Sequence, residues 1–418
     1  MSTGALRNFC FTEARVYKIE HYSWIPADYM DDSRIVTKKN KVFWFNLTGF
    51  LVHMNDIYII FPKNHKIPDD DDELLNHIQT LAGVLIRYSS DGSVELKEND
   101  LLGKSIGNVS KGIKAALWII KDYIEYGYFR KQIQRKAHSG NHIDWPRTIK
   151  LTEPIITLSG LVYTEPVYRK NSVDYNNMIY FLHKYVVQNS FYKFGWLLGY
   201  NSYEFDPSFV ELPCDIEMGV YLLNKELDST FNEREAKLLQ TMIEYIQGTD
   251  LTEKRDTLDT MATNYFHNVW EAMCDYVLKN QYQIIKQFIP KPTWHLQNGQ
   301  LETTHQRPDI LLAENKSIYV IDAKYYNVPK SLPGWHDLVK QFYYVYSLEH
   351  KFTNMCNALI LPDTVPEKIS YFGFVDMEGR PDLGKIEAFL FDTYALMNDY
   401  ANYKQGDWRV KLINEFSK

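Results

Sequence analysis

Arg307-Pro308-Asp309-Ile310-Leu311-Leu312-Ala313-Glu314-Asn315-Lys316-Ser317-Ile318-Tyr319-Val320-Ile321-Asp322-Ala323-Lys324 decides the fold of this chain. Two apolar runs, 309–313 and 318–322, flank Glu314-Asn315-Lys316-Ser317, a pattern that predicts two strands joined by a tight turn over Asn315-Lys316. Closing the turn there pairs Glu314 with Ser317 and Ala313 with Ile318. Counting outward sets Asp309 opposite Asp322. Side chains alternate with period two, so Lys324 projects from the same face as Asp322. Two carboxylates facing each other roughly 5 Å apart repel and weaken a sheet. A divalent cation between them removes the conflict, and a lysine two residues on completes a set suited to hydrolysing a phosphodiester. Either aspartate alone would read as a solvated strand end; the pair with Lys324 reads as a catalytic centre. Pro308 fits a strand beginning at Asp309, where a missing N–H costs nothing.

Both faces of the hairpin are apolar: Leu311, Ala313, Ile318 and Val320 on one, Ile310, Leu312, Tyr319 and Ile321 on the other. This predicts central strands covered by helices on both sides. Upstream, a helix is expected over about 260–279, with Phe266, Val269, Trp270, Met273 and Val277 on one side and Glu271 at the edge of that stripe. Downstream, a helix over about 337–349 puts Asp337, Lys340, Gln341 and Tyr344 on one face. Strands are expected at 357–361, stopped by Pro362, and at 370–375, with a last helix over 386–399. The order is that of an α/β layer fold with a mixed central sheet flanked by helices.

The rest of the chain is α+β in character. Residues 1–128 form a β-rich N-terminal domain with apolar runs at 42–45, 49–52 and 57–61, then an acidic helix start at 69–73 and a helix over about 109–126. A mixed, largely helical region spans 129–225, and the fold carrying the aspartates spans 226–418. Arg130, Lys131, Arg135 and Lys136 read first as a solvated helix face and second as a DNA or partner contact. The 418 residues are 45% apolar, enough for several cores, and 15% aromatic. Four cysteines without paired spacing suggest neither a zinc site nor a disulfide framework. No signal-like segment or apolar run of membrane-span length is present, so a cytoplasmic protein is expected. The net charge of −7 is unusual for a self-sufficient DNA binder, whose phosphate contacts require a basic surface, and points to a second subunit that grips DNA.

The expected chemistry is Mg²⁺-assisted phosphodiester hydrolysis, with Mn²⁺ able to substitute. Asp309, Asp322 and the Ala323 carbonyl would hold the ion, which would acidify a bound water for in-line attack. Lys324 would orient that water and stabilise charge developing on the phosphate. Glu271 could complete the shell or order a water, Gln341 and Lys340 could reach the scissile phosphate, and Tyr344 would lie beneath them. Gly103-Lys104-Ser105 resembles the end of a phosphate-binding loop, but Glu98 stands where the leading glycine belongs.

With Glu271, Pro308-Asp309, Asp322-Ala323-Lys324 and Lys340-Gln341 in place, residues 260–362 resemble the PD-(D/E)xK nuclease superfamily. More narrowly, the chain is similar to the McrC/LlaJI group of restriction-endonuclease subunits. That likeness rests on Val269-Trp270-Glu271, Asp322-Ala323-Lys324-Tyr325-Tyr326, Asp337-Leu338-Val339-Lys340-Gln341, Gly140, Ile143-Asp144-Trp145-Pro146-Arg147-Thr148-Ile149, Leu47-Thr48-Gly49-Phe50 and residues 57–63. The resemblance implies a DNA-cutting C-terminal module in a restriction system. It also implies an N-terminal part that docks on a hexameric AAA+ GTPase of the McrB type and stimulates it. The competing readings are a stand-alone structure-specific nuclease and a non-catalytic activator of a motor NTPase.

Overall fold

The computed structural model describes residues 6–53, 56–90, 112–130, 132–137, 142–158, 160–173, 177–200, 211–248, 259–304, 307–314 and 316–416. Gly103-Lys104-Ser105, Lys131, Gly140 and Asn315 lie outside them. The chain divides into two units: Met1–Lys111 with Leu197–Gly199 and Lys254–Lys418, and Gly112–Trp196 with Tyr200–Glu253. These divisions do not coincide with those expected at 128/129 and 225/226.

In the first unit, the apolar runs at 49–52 and 57–61 form strands Thr48–His53 (β2) and Asp56–Phe61 (β3), and Cys10–Thr12 adds a strand (β1) beside β3. A fourth strand, Asp259–Thr263 (β4), comes from far along the sequence and pairs antiparallel with β2, giving the order β1-β3-β2-β4. Residues 259–263 were expected to begin a helix; the helix begins instead at Phe266, because β2 offers this segment an edge to pair with. Gly49 permits the close approach: its φ is +136°, and a Cβ there would lie 2.3 Å from the Met261 carbonyl oxygen. A small sheet of Tyr17–Lys18, Val36–Lys39 and Val42–Phe45 shares one aromatic core with it, built on Phe11, Tyr17, Phe43, Phe45 and Tyr58. Helix Asp71–Ser90 (α1) opens on Asp71, Asp72 and Glu73, whose charges suit the positive end of its dipole.

The same unit contains helix Phe266–Leu278 (α2), strands Ile310–Glu314 (β5) and Ser317–Ala323 (β6), and helix Trp335–Leu348 (α3). Strands Asn354–Asp363 (β7), Ile369–Asp376 (β8) and Lys385–Asp392 (β9) follow, then helices Thr393–Ala401 (α4) and Trp408–Phe416 (α5). The five strands lie in the order β5-β6-β7-β9-β8. β6, β7 and β9 run parallel while β5 and β8 are antiparallel to their neighbours, so the sheet is mixed.

The hairpin register is as expected, Glu314 opposite Ser317 and Ile310 opposite Ile321. Leu311, Ile318 and Val320 share one buried cluster, with Ala313 packed against it. Ile310, Leu312 and Ile321 are fully buried on the other face. Only β6 is central, however; β5 lies at the end of the sheet. It reads like a central strand because its outer edge is covered. Asn280 Oδ1 and Gln281 Oε1 accept the Leu311 and Ala313 N–H groups, and the Gln281 N–H donates to the Leu311 carbonyl.

Two further expectations change. Residues 385–392 form β9 rather than a helix, and the helix starts after Asp392, whose carboxylate accepts the Ala395 N–H at 2.7 Å. β7 runs through Pro362, which pairs with Phe391 where the β6 pairing has already ended at Ile360.

The second unit packs helices Gly112–Tyr126, Met178–Phe194, Ile216–Leu227 and Glu233–Gly248. Arg234 makes two 2.8 Å hydrogen bonds to buried Asp122 within it. The basic stretch around Arg135 and Lys136 is strand Gln132–Ala137, paired with Tyr168–Val173, and not a helix face. A hairpin of Ile155–Thr157 and Gly160–Val162 is exposed along both strands.

Candidate active site

The site lies where β5 begins and β6 ends. Asp309 precedes β5, and the register that sets Ile310 against Ile321 brings Asp309 beside Asp322, the last but one residue of β6. Asn280 Nδ2 donates to the Asp309 carbonyl at 2.9 Å, and the Ala323 N–H donates to Asp309 Oδ2 at 3.1 Å. The Lys324 N–H extends the ladder to the Ile360 carbonyl, so the backbone carrying all three residues is held by the sheet. Asp322 is buried, whereas Asp309 and Lys324 are half-buried.

Lys324 Nζ stands 2.8 Å from Asp322 Oδ2 and 3.4 Å from Asp337 Oδ1. Tyr326 donates from its hydroxyl to Asp337 Oδ2 at 2.7 Å. Burial, then the charge and hydrogen bonding of Asp322, then Glu271, push Asp309 up to about 8. Burial would lower Lys324, but the carboxylates of Asp322, Asp309 and Asp337 prevail and hold it above its ordinary value. Burial works against ionised Asp337 too, but the Tyr326 and Lys324 hydrogen bonds outweigh it and keep its carboxyl below the ordinary range. The residues are thus a carboxylate pair that cannot comfortably carry two charges, beside a firmly protonated lysine.

Such a pair fits a divalent cation, which would discharge the repulsion that now keeps a proton on Asp309. Among the described residues, no group of three His, Cys, Asp or Glu side chains is arranged to hold a metal. Glu271 is felt at Asp309 as charge without completing such a ligand set. Two carboxylates with a backbone carbonyl make an open donor set, the kind Mg²⁺ accepts because it keeps several of its waters.

The face of α3 sorts differently from expectation. Gln341 is buried, and its Nε2 donates to the Val320 and Ala358 carbonyls at 2.9 and 3.1 Å. It stitches β6 to β7 from above and does not present its amide nitrogen to a phosphate. Lys340 is exposed. Tyr344 is half-buried with its hydroxyl 3.5 Å from the Arg307 carbonyl; burial first, then Asp322 and Asp309, raise its pKa. Asp337, noted in the sequence as a member of the helical face and of the string Asp337-Leu338-Val339-Lys340-Gln341, proves to be the second partner of Lys324. Those were its advance signals; the Tyr326 contact depends on how the loop before α3 folds back.

The family model of the LlaJI restriction endonuclease matches residues 47–391, which include every residue of this site. The chain belongs to the LlaJI restriction endonuclease family. Over 404 residues this LlaJI-family chain is 26% identical to the type II restriction enzyme BsuMI component YdjA of Bacillus subtilis strain 168, covering 90% of this chain and 84% of that protein. It is also similar, at 12% identity and a TM-score of 0.42, to a chain of the refined half-complex from a tetradecameric assembly of Thermococcus gammatolerans McrB AAA+ hexamers with bound McrC. That match covers 97% of this chain and 99% of the other. As a LlaJI-family protein the chain is a restriction-system component. Among its described residues no helix is long and apolar enough to cross a membrane.

Proposed function

We propose that this chain is the DNA-cutting subunit of its restriction system, a Mg²⁺-dependent endodeoxyribonuclease with a PD-(D/E)xK centre. The observation that carries the reading is the convergence of Asp309, Asp322 and Lys324 at one end of a single hairpin. Asp309, Asp322 and the Ala323 carbonyl would hold Mg²⁺ or Mn²⁺, which supplies Lewis acidity toward the phosphate and toward a bound water. Asp322 and Asp337 keep Lys324 protonated and aimed, so that its ammonium can neutralise charge developing on the scissile phosphate. The half-buried setting strengthens that attraction relative to water.

The proposed partner is a hexameric AAA+ GTPase of the McrB type, which this chain would stimulate. The resemblance in the sequence supports this, as do the net charge of −7 and the want of a DNA-reading motif. The exposed hairpin in the second unit adds a surface suited to a protein partner, with Ile156 83% and Leu161 61% exposed.

The test is cleavage of plasmid DNA by the full chain together with the other components of its system, with Mg²⁺ and with excess chelator. Asp322→Ala and Lys324→Ala should each lower the rate by about a thousandfold or more, an effect typical of removing a group acting in the transition state. Undiminished cutting by both variants would end the nuclease assignment. Robust cutting by the isolated chain, indifferent to GTP, would favour a stand-alone nuclease.

A further inference from the structure

Glu13 has no role in the chemistry above, yet it is buried and engaged on both oxygens. It follows β1, and its Oε2 accepts hydrogen bonds from Thr48 Oγ1 at 2.7 Å and from the Tyr325 hydroxyl at 2.6 Å. Lys63 Nζ stands 3.7 Å from Oε1. Tyr325 is the residue after Lys324. Its hydroxyl also accepts the Lys63 N–H at 2.8 Å, and its ring packs against Phe266 and Trp270.

The surrounding contacts repeat the theme. Asn64 Nδ2 donates to the Pro362 carbonyl at 2.9 Å and reaches the Tyr326 carbonyl at 3.4 Å, and Lys63 Nζ reaches the Tyr325 carbonyl at 3.4 Å. The chain leaving β6 is therefore gripped at successive residues by the segment that follows β3. Lys324 sits between two constraints: the β7 ladder fixes its N–H, and Tyr325 fixes the residue beyond it.

Burying a carboxylate and a phenol is a poor way to gain stability, since an apolar pair of similar volume would avoid the desolvation cost. What the polar pair adds is direction: two short hydrogen bonds define where the Tyr325 ring, and hence the backbone at Lys324, must lie. We propose that Glu13, acting through Tyr325, is a positioning residue for Lys324, so that the N-terminal sheet is a working part of the nuclease centre. Nothing in the strands that carry the aspartates supplies this acceptor. The inference rests on the nuclease reading given above.

The test uses the full chain with its system components, single-turnover cleavage of plasmid DNA, and calorimetric titration of Mn²⁺ into the chain. Tyr325→Phe, which removes one oxygen and keeps the ring, should slow cleavage by about tenfold or more while leaving half-saturating DNA and Mn²⁺ affinity within about twofold of wild type. Glu13→Ala should do the same, Glu13→Gln should restore most of the rate because it retains an acceptor oxygen, and the double variant should be no slower than the slower single one. Wild-type rates in Tyr325→Phe and Glu13→Ala, beside an inactive Asp322→Ala, would overturn the positioning role alone. So would losses that multiply in the double variant, or that fall equally on Mn²⁺ affinity. Full activity in Asp322→Ala would remove the nuclease reading, and this role with it.

Discussion

At the scale of single residues, the site is governed by a conflict between Asp309 and Asp322. Burial and the neighbouring carboxylates push Asp309 up to about 8, so near neutral pH the metal-free chain keeps a proton that its unfolded form has lost. Stability of the metal-free chain should therefore fall as pH rises from the ordinary carboxylate range to about 8, because the folded state is then the one binding more protons. The same proton must leave when a cation binds. Titrating Mn²⁺ at pH 7 in buffers of different ionisation enthalpy should show proton release, with affinity rising toward pH 8, and Asp309→Asn should show weak binding without it. Release of no proton by wild type would place the ion elsewhere. The aspartates and Lys324 were legible because strand pairing turns sequence spacing into distance. Asp337 and Glu13 were not, since no short-range count brings residues 13 and 337 to the neighbourhood of 324.

At the scale of elements, Gln341 adds a polar tie to the sheet beside the apolar packing of α3 through Phe342, Val345 and Leu348. Gln341 supplies donors to carbonyls of both β6 and β7, so replacing it with leucine leaves the Val320 and Ala358 carbonyls without this donor in a buried place. The expected cost is about 1–3 kcal/mol, read as a lower urea midpoint with Mn²⁺ affinity unchanged. Wild-type stability with lost cleavage would instead return Gln341 to a phosphate-facing role. The hairpin and the α2 stripe were readable because a turn and an amphipathic period are local signals. β4 and β9 were misread as helix for the opposite reason. Residues 259–263 become a strand only because β2 lies beside them, and 385–392 only because β7 and β8 do. The Asp392 cap was the available clue that α4 begins later, and α5 rather than α4 is the last helix.

At the scale of the molecule, the expected separation into an N-terminal domain and a nuclease domain gives way to one unit that contains both. β4 pairs with β2, α1 packs on α4, and the Arg87 guanidinium of α1 lies over the rings of Tyr276, Tyr400 and Tyr403 at 3.9, 4.1 and 4.0 Å. A fragment of residues 226–418 should therefore lack the cooperative urea transition of the whole chain. A sharp transition at the full-length midpoint would show that the C-terminal half stands alone. Composition could not reveal this, because the residues joining the halves meet partners some two to three hundred positions away. The most direct test of the proposed centre is a crystal of the full chain soaked in Mn²⁺, measured for anomalous scattering. The expected result is a peak bound by Asp309, Asp322 and the Ala323 carbonyl, with Lys324 alongside; an ordered, empty space between the two aspartates at saturating Mn²⁺ would contradict it.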